Sequence, residues 1–235
     1  MIHALHGNAG LPEDLHGILT GTGRPFHAWH LWQCLDHDPA CGTLEGFASR
    51  LNDAAQDSGR PRILLGYSLG GRLALHALTT KPENWEAAIL LSPHPGLQSI
   101  AERAARLQQD KAWAARFLND PWDQVMAEWN GQAVLAGTSA SQPELEASGR
   151  QVAQAFDGWS LGRQQDLRPL LPSVKCPVLW ITGELDEKFT ALARACTLLP
   201  NGIHRTIPNA GHRVHLDQPS AVIDTVRAFL DASGM

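Results

Sequence analysis

The sequence has no run of basic residues and no long apolar segment, and each absence excludes a class of protein. Its 19 Lys and Arg residues are outnumbered by 24 Asp and Glu residues, which gives a net charge of −5. A chain with this charge lacks the basic surface that binds a phosphate backbone, so we expect no nucleic-acid partner. The longest apolar stretch, residues 63–78, is interrupted by glycines, Arg72 and His76. It falls short of the roughly 20 apolar residues that span a bilayer, so we expect no membrane partner.

Cysteine is also scarce, and its positions show no ligand pattern. The four cysteines have neither CxxC nor Cys/His metal-site spacing, and they are too few for a disulfide scaffold: Cys34, Cys41, Cys176 and Cys196. We therefore predict reduced thiols in the core. Met1 is followed by neither the basic segment nor the apolar segment of a signal peptide. A cytoplasmic location is the corresponding expectation.

The chain of 235 residues, 43% apolar and 18% charged, predicts one compact domain that carries an insertion. Short apolar runs that end in Gly, Ser-Pro or a turn alternate with helical patterns. This alternation predicts an α/β fold with a mostly parallel sheet and helices on both faces. The predicted strands cover residues 62–66, 86–91, 177–182 and 204–207, and the clearest helices cover 68–79 and 219–230. Residues 17–42 show no assignable pattern.

Between Leu97 and Cys176 the strand pattern stops, and helical periodicity rich in Ala, Gln, Glu and Arg replaces it. The insertion follows one sheet strand and precedes another, so it should lie over the carboxyl ends of the strands, where open α/β sheets bind ligands. We therefore predict a core formed by residues 1–97 and 176–235 and a helical cap formed by residues 98–175.

Gly66-Tyr67-Ser68-Leu69-Gly70 is a G-x-S-x-G motif placed directly after an apolar strand and directly before a helix. In this context the motif predicts a sharp turn that exposes a nucleophilic serine above the sheet. The flanking glycines are needed because larger side chains would clash in so tight a turn. Ser68 is the predicted nucleophile.

A serine hydroxyl needs a base, and suitable partners follow two later strands. Asp186 follows the strand at residues 177–182, and His212 follows the strand at residues 204–207. The chain order Ser, Asp, His resembles that of the α/β-hydrolase triad, in which Asp186 would orient His212 and His212 would exchange a proton with Ser68. In the same fold the Leu5-His6-Gly7-Asn8 turn implies an oxyanion hole formed by the backbone N–H groups of Asn8 and Leu69.

Beyond the fold, the sequence resembles the 2-succinyl-6-hydroxy-2,4-cyclohexadiene-1-carboxylate synthases of menaquinone biosynthesis. The resemblance covers most of the chain after Pro61. It is carried by Gly66-Tyr-Ser-Leu-Gly-Gly-Arg72, Ser92-Pro-His-Pro-Gly-Leu-Gln98, Glu102-Arg-Ala-Ala-Arg106 with Asp110, Trp113 and Phe117, Gly183-Glu-Leu-Asp-Glu-Lys-Phe189 and Ala210-Gly-His212. It implies a carbon–oxygen lyase that eliminates pyruvate from 2-succinyl-5-enolpyruvyl-6-hydroxy-3-cyclohexene-1-carboxylate.

The resemblance also implies which side chains bind this small anionic polycarboxylate. Guanidinium groups hold carboxylates in a two-pronged fork, and Arg72 lies one helical turn after Ser68. The implied substrate-binding residues are Tyr67, Arg72, Arg106, Trp129, Arg150 and Lys188. Asn130 stands where the family has a tyrosine, and residues 35–43 keep only a remnant of the family's Asp-x-Pro-Gly-His-Gly segment. Trp113, Trp122 and Trp159 are expected in the cap core.

Two other functions fit the same motifs. One is a carboxylesterase or enol-lactone hydrolase that works through an acyl-enzyme, and the other is a non-catalytic binding protein on a hydrolase scaffold. We expect no metal and no organic cofactor, because the sequence has no ligand cluster and no nucleotide-binding glycine motif. A monomer or a small homo-oligomer is expected.

Overall fold

The computed structural model describes residues 1–135 and 146–235, with side chains described for 1–135 and 149–235. In this part of the chain, six strands form one sheet in the order β2-β1-β3-β4-β5-β6, and every neighbouring pair is parallel. The strands are β1 (Ile2–Leu5), β2 (Phe26–Trp29), β3 (Ile63–Tyr67), β4 (Ala87–Leu91), β5 (Val178–Gly183) and β6 (Gly202–Ile207).

Ten α-helices connect or follow these strands in the described ranges. They are α1 (His16–Gly21), α2 (Leu31–His37), α3 (Leu44–Gln56), α4 (Leu69–Thr80), α5 (Ile100–Asn119), α6 (Trp122–Asn130), α7 (Glu146–Gly158), α8 (Glu187–Leu192), α9 (Val214–Asp217) and α10 (Pro219–Ala232). No helix in residues 1–135 or 146–235 has the length and apolar character that crossing a bilayer requires.

The buried strands divide their side chains between two apolar clusters, because successive residues of a strand point to opposite faces of the sheet. In β3, Leu64 belongs to one cluster, while Ile63 and Leu65 belong to the other. The first cluster includes apolar residues of α2, α3 and α4, and the second includes those of α1 and α10. Helices therefore cover both faces of the sheet, and the predicted α/β fold with a parallel sheet is confirmed.

The four predicted strands and the two predicted helices are present, each with its ends shifted by at most two residues. The unassigned segment 17–42 contains the strand β2. This strand lies at an edge of the sheet, and its Phe26-His27-Ala28-Trp29 sequence buries only Trp29 fully. A half-exposed edge strand has no continuous apolar run, which is why its pattern was not assigned.

Three helices, α5, α6 and α7, lie between β4 and β5, where the insertion was predicted. Phe117, Val125 and Phe156 from these helices belong to the same apolar cluster as α4. Residues 136–145 of the predicted cap lie outside the described residues. The helices therefore share the apolar core of the sheet, and α7 packs against α2.

Candidate active site

The turn between β3 and α4 holds Ser68 in an unusual backbone conformation, with φ 50° and ψ −106°. Its N–H donates a hydrogen bond to the carbonyl of Leu91, 2.9 Å away on β4. A side chain at Gly66 would meet the carbonyl oxygen of Gly70 at 2.5 Å, and one at Gly70 would collide with the carbonyls of Leu5 and His6. The G-x-S-x-G spacing thus has a steric cause, since both glycines lie against backbone.

Ser68, His212 and Asp186 form one hydrogen-bonded chain. The Ser68 hydroxyl lies 3.0 Å from Nε2 of His212, and Nδ1 of His212 lies 2.7 Å from Oδ2 of Asp186. An ionised carboxylate only accepts, so Nδ1 carries a proton and donates it. In the neutral imidazole, Nε2 is then free to accept the proton of the Ser68 hydroxyl. The geometry fits a general base beside an activated nucleophile.

Packing fixes the two partners of Ser68. Asp186 is 6% exposed and His212 is 4% exposed. Oδ1 of Asp186 also accepts from the N–H of Phe189 at 3.3 Å, which holds the carboxylate at the start of α8. The Phe189 ring packs against the imidazole of His212 with 4.2 Å between ring centres. These contacts leave the imidazole little freedom to turn away from Ser68.

The predicted oxyanion-hole residues, Asn8 and Leu69, both line the cavity at Ser68. Among the described residues, no acceptor takes a hydrogen bond from the backbone N–H of either one. His6 fixes the loop before Asn8: its Nδ1 lies 2.9 Å from the carbonyl oxygen of Gly7, and its Nε2 accepts from the N–H of Leu31 at 3.1 Å. Burial lowers the pKa of His6 to about 3, so its imidazole is neutral and makes both bonds at ordinary pH.

A cavity of about 250 Å³ opens above Ser68. It is lined by eight of the predicted site residues: Asn8, Ser68, Leu69, Arg72, Arg106, Trp129, Lys188 and His212. In the described ranges, no group of three or more His, Cys, Asp or Glu residues is placed to hold a metal ion. Three cationic side chains line the same cavity as the hydroxyl of Ser68: Arg72, Arg106 and Lys188.

Arg72 is a buried cation, only 8% exposed. Its guanidinium donates to Oε1 of Gln164 at 3.1 Å and to the carbonyl of Trp159 at 2.8 Å. None of the described carboxylates lies within salt-bridge distance of it. Burial and the nearby charge of Arg106 lower the pKa of Arg72 to about 9. A buried charge is stabilised by an opposite charge, so this arrangement suits an anionic ligand.

Arg106 is held in place at the cavity by a buried carboxylate of α5. Its Nε donates to Oδ1 of Asp110, one turn along α5, at 2.8 Å, and Oδ2 of Asp110 accepts from the hydroxyl of Ser160 at 2.7 Å. Asp110 is 3% exposed, whereas the Arg106 side chain is 31% exposed. The buried carboxylate therefore orients a guanidinium that remains accessible from the cavity.

Trp129 and Lys188 also face the cavity. The Trp129 ring packs edge-on against Trp113, 5.2 Å between centres, and Nζ of Lys188 lies 5.7 Å from the ring centre of Phe189. Asn130, which replaces the expected tyrosine, accepts a hydrogen bond from the guanidinium of Arg213, the residue after His212. The substitution thus connects α6 to the loop that carries His212.

Among the described residues, Tyr67 and Arg150 are the two predicted substrate contacts that do not line the cavity. The Tyr67 ring lies beneath Gly7 and packs on His215, 4.2 Å between centres, and burial raises the pKa of its phenol. Tyr67 points to the opposite face of the sheet from Leu64 and Gly66 because strand side chains alternate. Arg150 is exposed on α7. The structure therefore assigns Tyr67 to packing below the triad and Arg150 to the outer surface.

Several residues that line the cavity were not predicted as site residues, among them His94, Trp113 and Phe189. His94 follows β4, as Ser68 follows β3, and its place at the carboxyl end of a strand is the signal that could have identified it. Trp113 was expected in the cap core; it packs against Phe117 and Trp129 and also lines the cavity. Trp159 is fully buried, as expected of a core residue.

The chain is similar to known proteins in sequence and in fold. The sequence pattern of the alpha/beta hydrolase family matches residues 11–225. A 2-succinyl-6-hydroxy-2,4-cyclohexadiene-1-carboxylate synthase from Serratia proteamaculans is 35% identical over 198 residues, which cover 81% of this chain and 76% of that protein. A synthase of the same name from Klebsiella pneumoniae is 39% identical over 173 residues, covering 71% and 67% of the two chains. The chain belongs to this synthase family of alpha/beta hydrolases.

Solved structures show the same fold at lower sequence identity. MenH from S. aureus superposes with a TM-score of 0.84 and 21% identity, covering all of this chain and 94% of that one. A thermophilic esterase from Thermogutta terrifontis superposes with a TM-score of 0.73 and 19% identity, covering all of this chain and 90% of that one. At these identities the superpositions establish the fold, and the family assignment rests on the sequence matches.

Proposed function

We propose that this member of the synthase family is a carbon–oxygen lyase. It eliminates pyruvate from 2-succinyl-5-enolpyruvyl-6-hydroxy-3-cyclohexene-1-carboxylate and leaves 2-succinyl-6-hydroxy-2,4-cyclohexadiene-1-carboxylate. The observation that carries the proposal is Arg72, a buried guanidinium without a carboxylate partner among the described residues, in the cavity of Ser68. A neutral ester offers this charge no counterion, whereas the cyclohexene substrate carries several carboxylates.

The change from a 3-cyclohexene to a 2,4-cyclohexadiene defines the bonds that move. A proton leaves C2, the C3=C4 double bond becomes C2=C3 and C4=C5, and the C5–O bond to the enolpyruvyl group breaks. Ser68 gives its proton to His212 and takes the C2 proton. His212 then returns its proton to the departing enolpyruvate, which becomes pyruvate, so no atom is left over. Asp186 stabilises the imidazolium that exists between the two transfers.

The remaining groups have roles that follow from charge. C2 carries the succinyl ketone, so its proton is acidic and negative charge develops on the ketone oxygen as the proton leaves. The N–H groups of Asn8 and Leu69 are the donors proposed for that oxygen. Arg72, Arg106 and Lys188 bind the carboxylates, and Trp129 and Trp113 contact the ring. The cap, proposed for residues 98–175, supplies Arg106 and both tryptophans.

The same triad could instead attack an ester carbonyl, so the test separates elimination from acyl transfer. The purified protein is mixed with the cyclohexene substrate, and pyruvate is measured by coupling to lactate dehydrogenase. We expect Ser68→Ala to reduce pyruvate release by at least about a thousandfold, the scale seen when a triad member is lost. Ser173→Ala, at an exposed serine, is the matched control and should behave as the parent. Equal rates in the two variants would remove Ser68 from the mechanism.

A further inference from the structure

His94 forms one wall of the cavity, and its ring is held by a backbone hydrogen bond. It is 5% exposed, and its Nδ1 accepts from the N–H of Gly96 at 3.0 Å. Its carbonyl accepts from the side-chain amide of Gln164 at 2.9 Å, and the oxygen of the same amide holds Arg72. Gln164 therefore links the backbone of His94 to the guanidinium of Arg72.

The hydrogen bond at Nδ1 determines the tautomer. Because Nδ1 accepts from Gly96, the proton of the neutral imidazole lies on Nε2. Among the described residues, Nε2 has no hydrogen-bond partner. It is not among the fully buried atoms that lack a partner, so a ligand can reach it. Since His94 lines the cavity, its one free donor faces the place where a ligand would lie.

The charges around His94 keep it neutral. Burial is the largest cause that lowers its pKa to about 3, and the nearby cations Arg72, Lys188, Arg106 and Arg168 act in the same direction. A protonated imidazole would be repelled by these groups, whereas a neutral N–H adds a directional donor without adding charge. Hydrogen bonds to ionised acceptors are shorter and stronger than those between neutral groups.

We propose that Nε2–H of His94 donates a hydrogen bond to a carboxylate oxygen of the substrate and makes His94 a specificity-determining residue. The substrate class rests on the proposed function. Arg72 and Arg106 supply the charge that attracts an anion, but each already uses N–H donors on protein acceptors. The ring of His94 accepts from the N–H of Gly96 and packs in a T-shape with the ring of Phe189, with 6.2 Å between the two ring centres. The Nε2–H group therefore points in one fixed direction.

Two substitutions separate binding from a structural role. In His94→Asn the amide oxygen takes the place of Nδ1 and keeps the bond from Gly96, but no donor reaches the cavity. In His94→Gln the amide nitrogen reaches the place of Nε2 and keeps a donor there. We expect His94→Asn to raise KM for the cyclohexene substrate about 10- to 100-fold. His94→Gln should recover most of this loss, while both variants keep the parent's denaturation midpoint.

A merely structural His94 would give the opposite order, with His94→Asn close to the parent and His94→Gln impaired, and this result would overturn the proposal. A binding measurement keeps the test independent of turnover. In ¹⁵N-labelled protein, titration with phthalate, a ring-bearing dicarboxylate, should shift the Nε2–H resonance of His94 downfield. If the parent releases no pyruvate but the resonance shifts, the proposed function fails and the role of His94 stands. If pyruvate is released and the resonance does not move at saturating phthalate, His94 is not the donor.

Discussion

Arg72 and Arg150 carry the same charge, but the structure gives them different surroundings. Arg72 is buried at the cavity, and Arg150 is exposed on α7. A charge-assisted contact in a water-poor pocket is worth on the order of 2 to 5 kcal/mol when one partner is truncated. We therefore expect Arg72→Ala to lower kcat/KM for the polycarboxylate roughly 30-fold to several thousandfold.

Steady-state kinetics of four variants checks this contrast. Arg106→Ala should show a loss of the same kind, mostly in KM, because Arg106 lies on α5 and not on α4, the helix that begins directly after Ser68. Arg72→Lys keeps the charge but loses the fork, so it should recover only part of the activity. Arg150→Ala is the matched control and should retain the parent's kcat/KM. If Arg150→Ala loses as much kcat/KM as Arg72→Ala, Arg150 contacts the substrate during turnover, and its exposed position in this structure is not its working position.

At the scale of the element, the elbow depends on backbone packing at Gly70. A Cβ atom there would collide with the carbonyl of Leu5 and lie 2.6 Å from that of His6, so β1 and α4 would have to separate. Gly70→Ala should lower the free energy of unfolding by at least about 2 kcal/mol, as overpacking does, and should abolish activity. The measurement is denaturant unfolding of the purified variant.

Gly17 provides the control for this substitution. It lies in α1, it is exposed, and nothing lies within 4 Å of a Cβ atom built there. Gly17→Ala should leave stability unchanged or raise it by about 0.5 to 1 kcal/mol, the helix preference of alanine over glycine. Similar unfolding midpoints for Gly70→Ala and Gly17→Ala would contradict the steric account of the elbow.

The elements also show what the sequence could and could not predict. The elbow and the triad were predictable because each is a local motif at the end of a buried strand. The direction of Tyr67 was not, because a residue beside the serine can lie on either face until the end of β3 is known. His94 was missed because its position depends on two contacts: Gly96 donates to its ring, and Gln164, 70 residues further along the chain, donates to its backbone carbonyl. Such a contact leaves no local pattern.

At the scale of the whole molecule, buried neutral histidines connect stability to pH. Burial lowers the pKa of His3 and His76 to about 4 and that of His6, His94 and His215 to about 3. Between these values and 6.5 the unfolded chain binds more protons than the folded chain. Stability is therefore complete above about pH 6.5 and is lost as the pH falls, by about 1 kcal/mol per histidine at pH 5.5.

Denaturant unfolding at pH 7.5 and pH 5.5 tests this dependence. The free energy of unfolding should be several kcal/mol lower at pH 5.5. In His76→Gln the difference between the two pH values should shrink by about 1 kcal/mol, since Nε2 of His76 is buried without a partner and a glutamine does not titrate. His37→Gln, at an exposed histidine, is the control. Stability that stays constant or rises towards pH 5.5 would contradict the buried, neutral state of these rings.

The central claim is that the Ser68–His212–Asp186 chain performs an elimination and not an acyl transfer. The most direct measurement is the reaction of the parent protein with the cyclohexene substrate in ¹⁸O-labelled water, followed by mass spectrometry of the products and of the intact protein. We expect pyruvate and cyclohexadiene in equal amounts, no ¹⁸O in the cyclohexadiene, and no covalent adduct on Ser68. Absence of pyruvate, together with an acyl adduct on Ser68 when a slow ester is supplied, would contradict the account and identify an ester hydrolase.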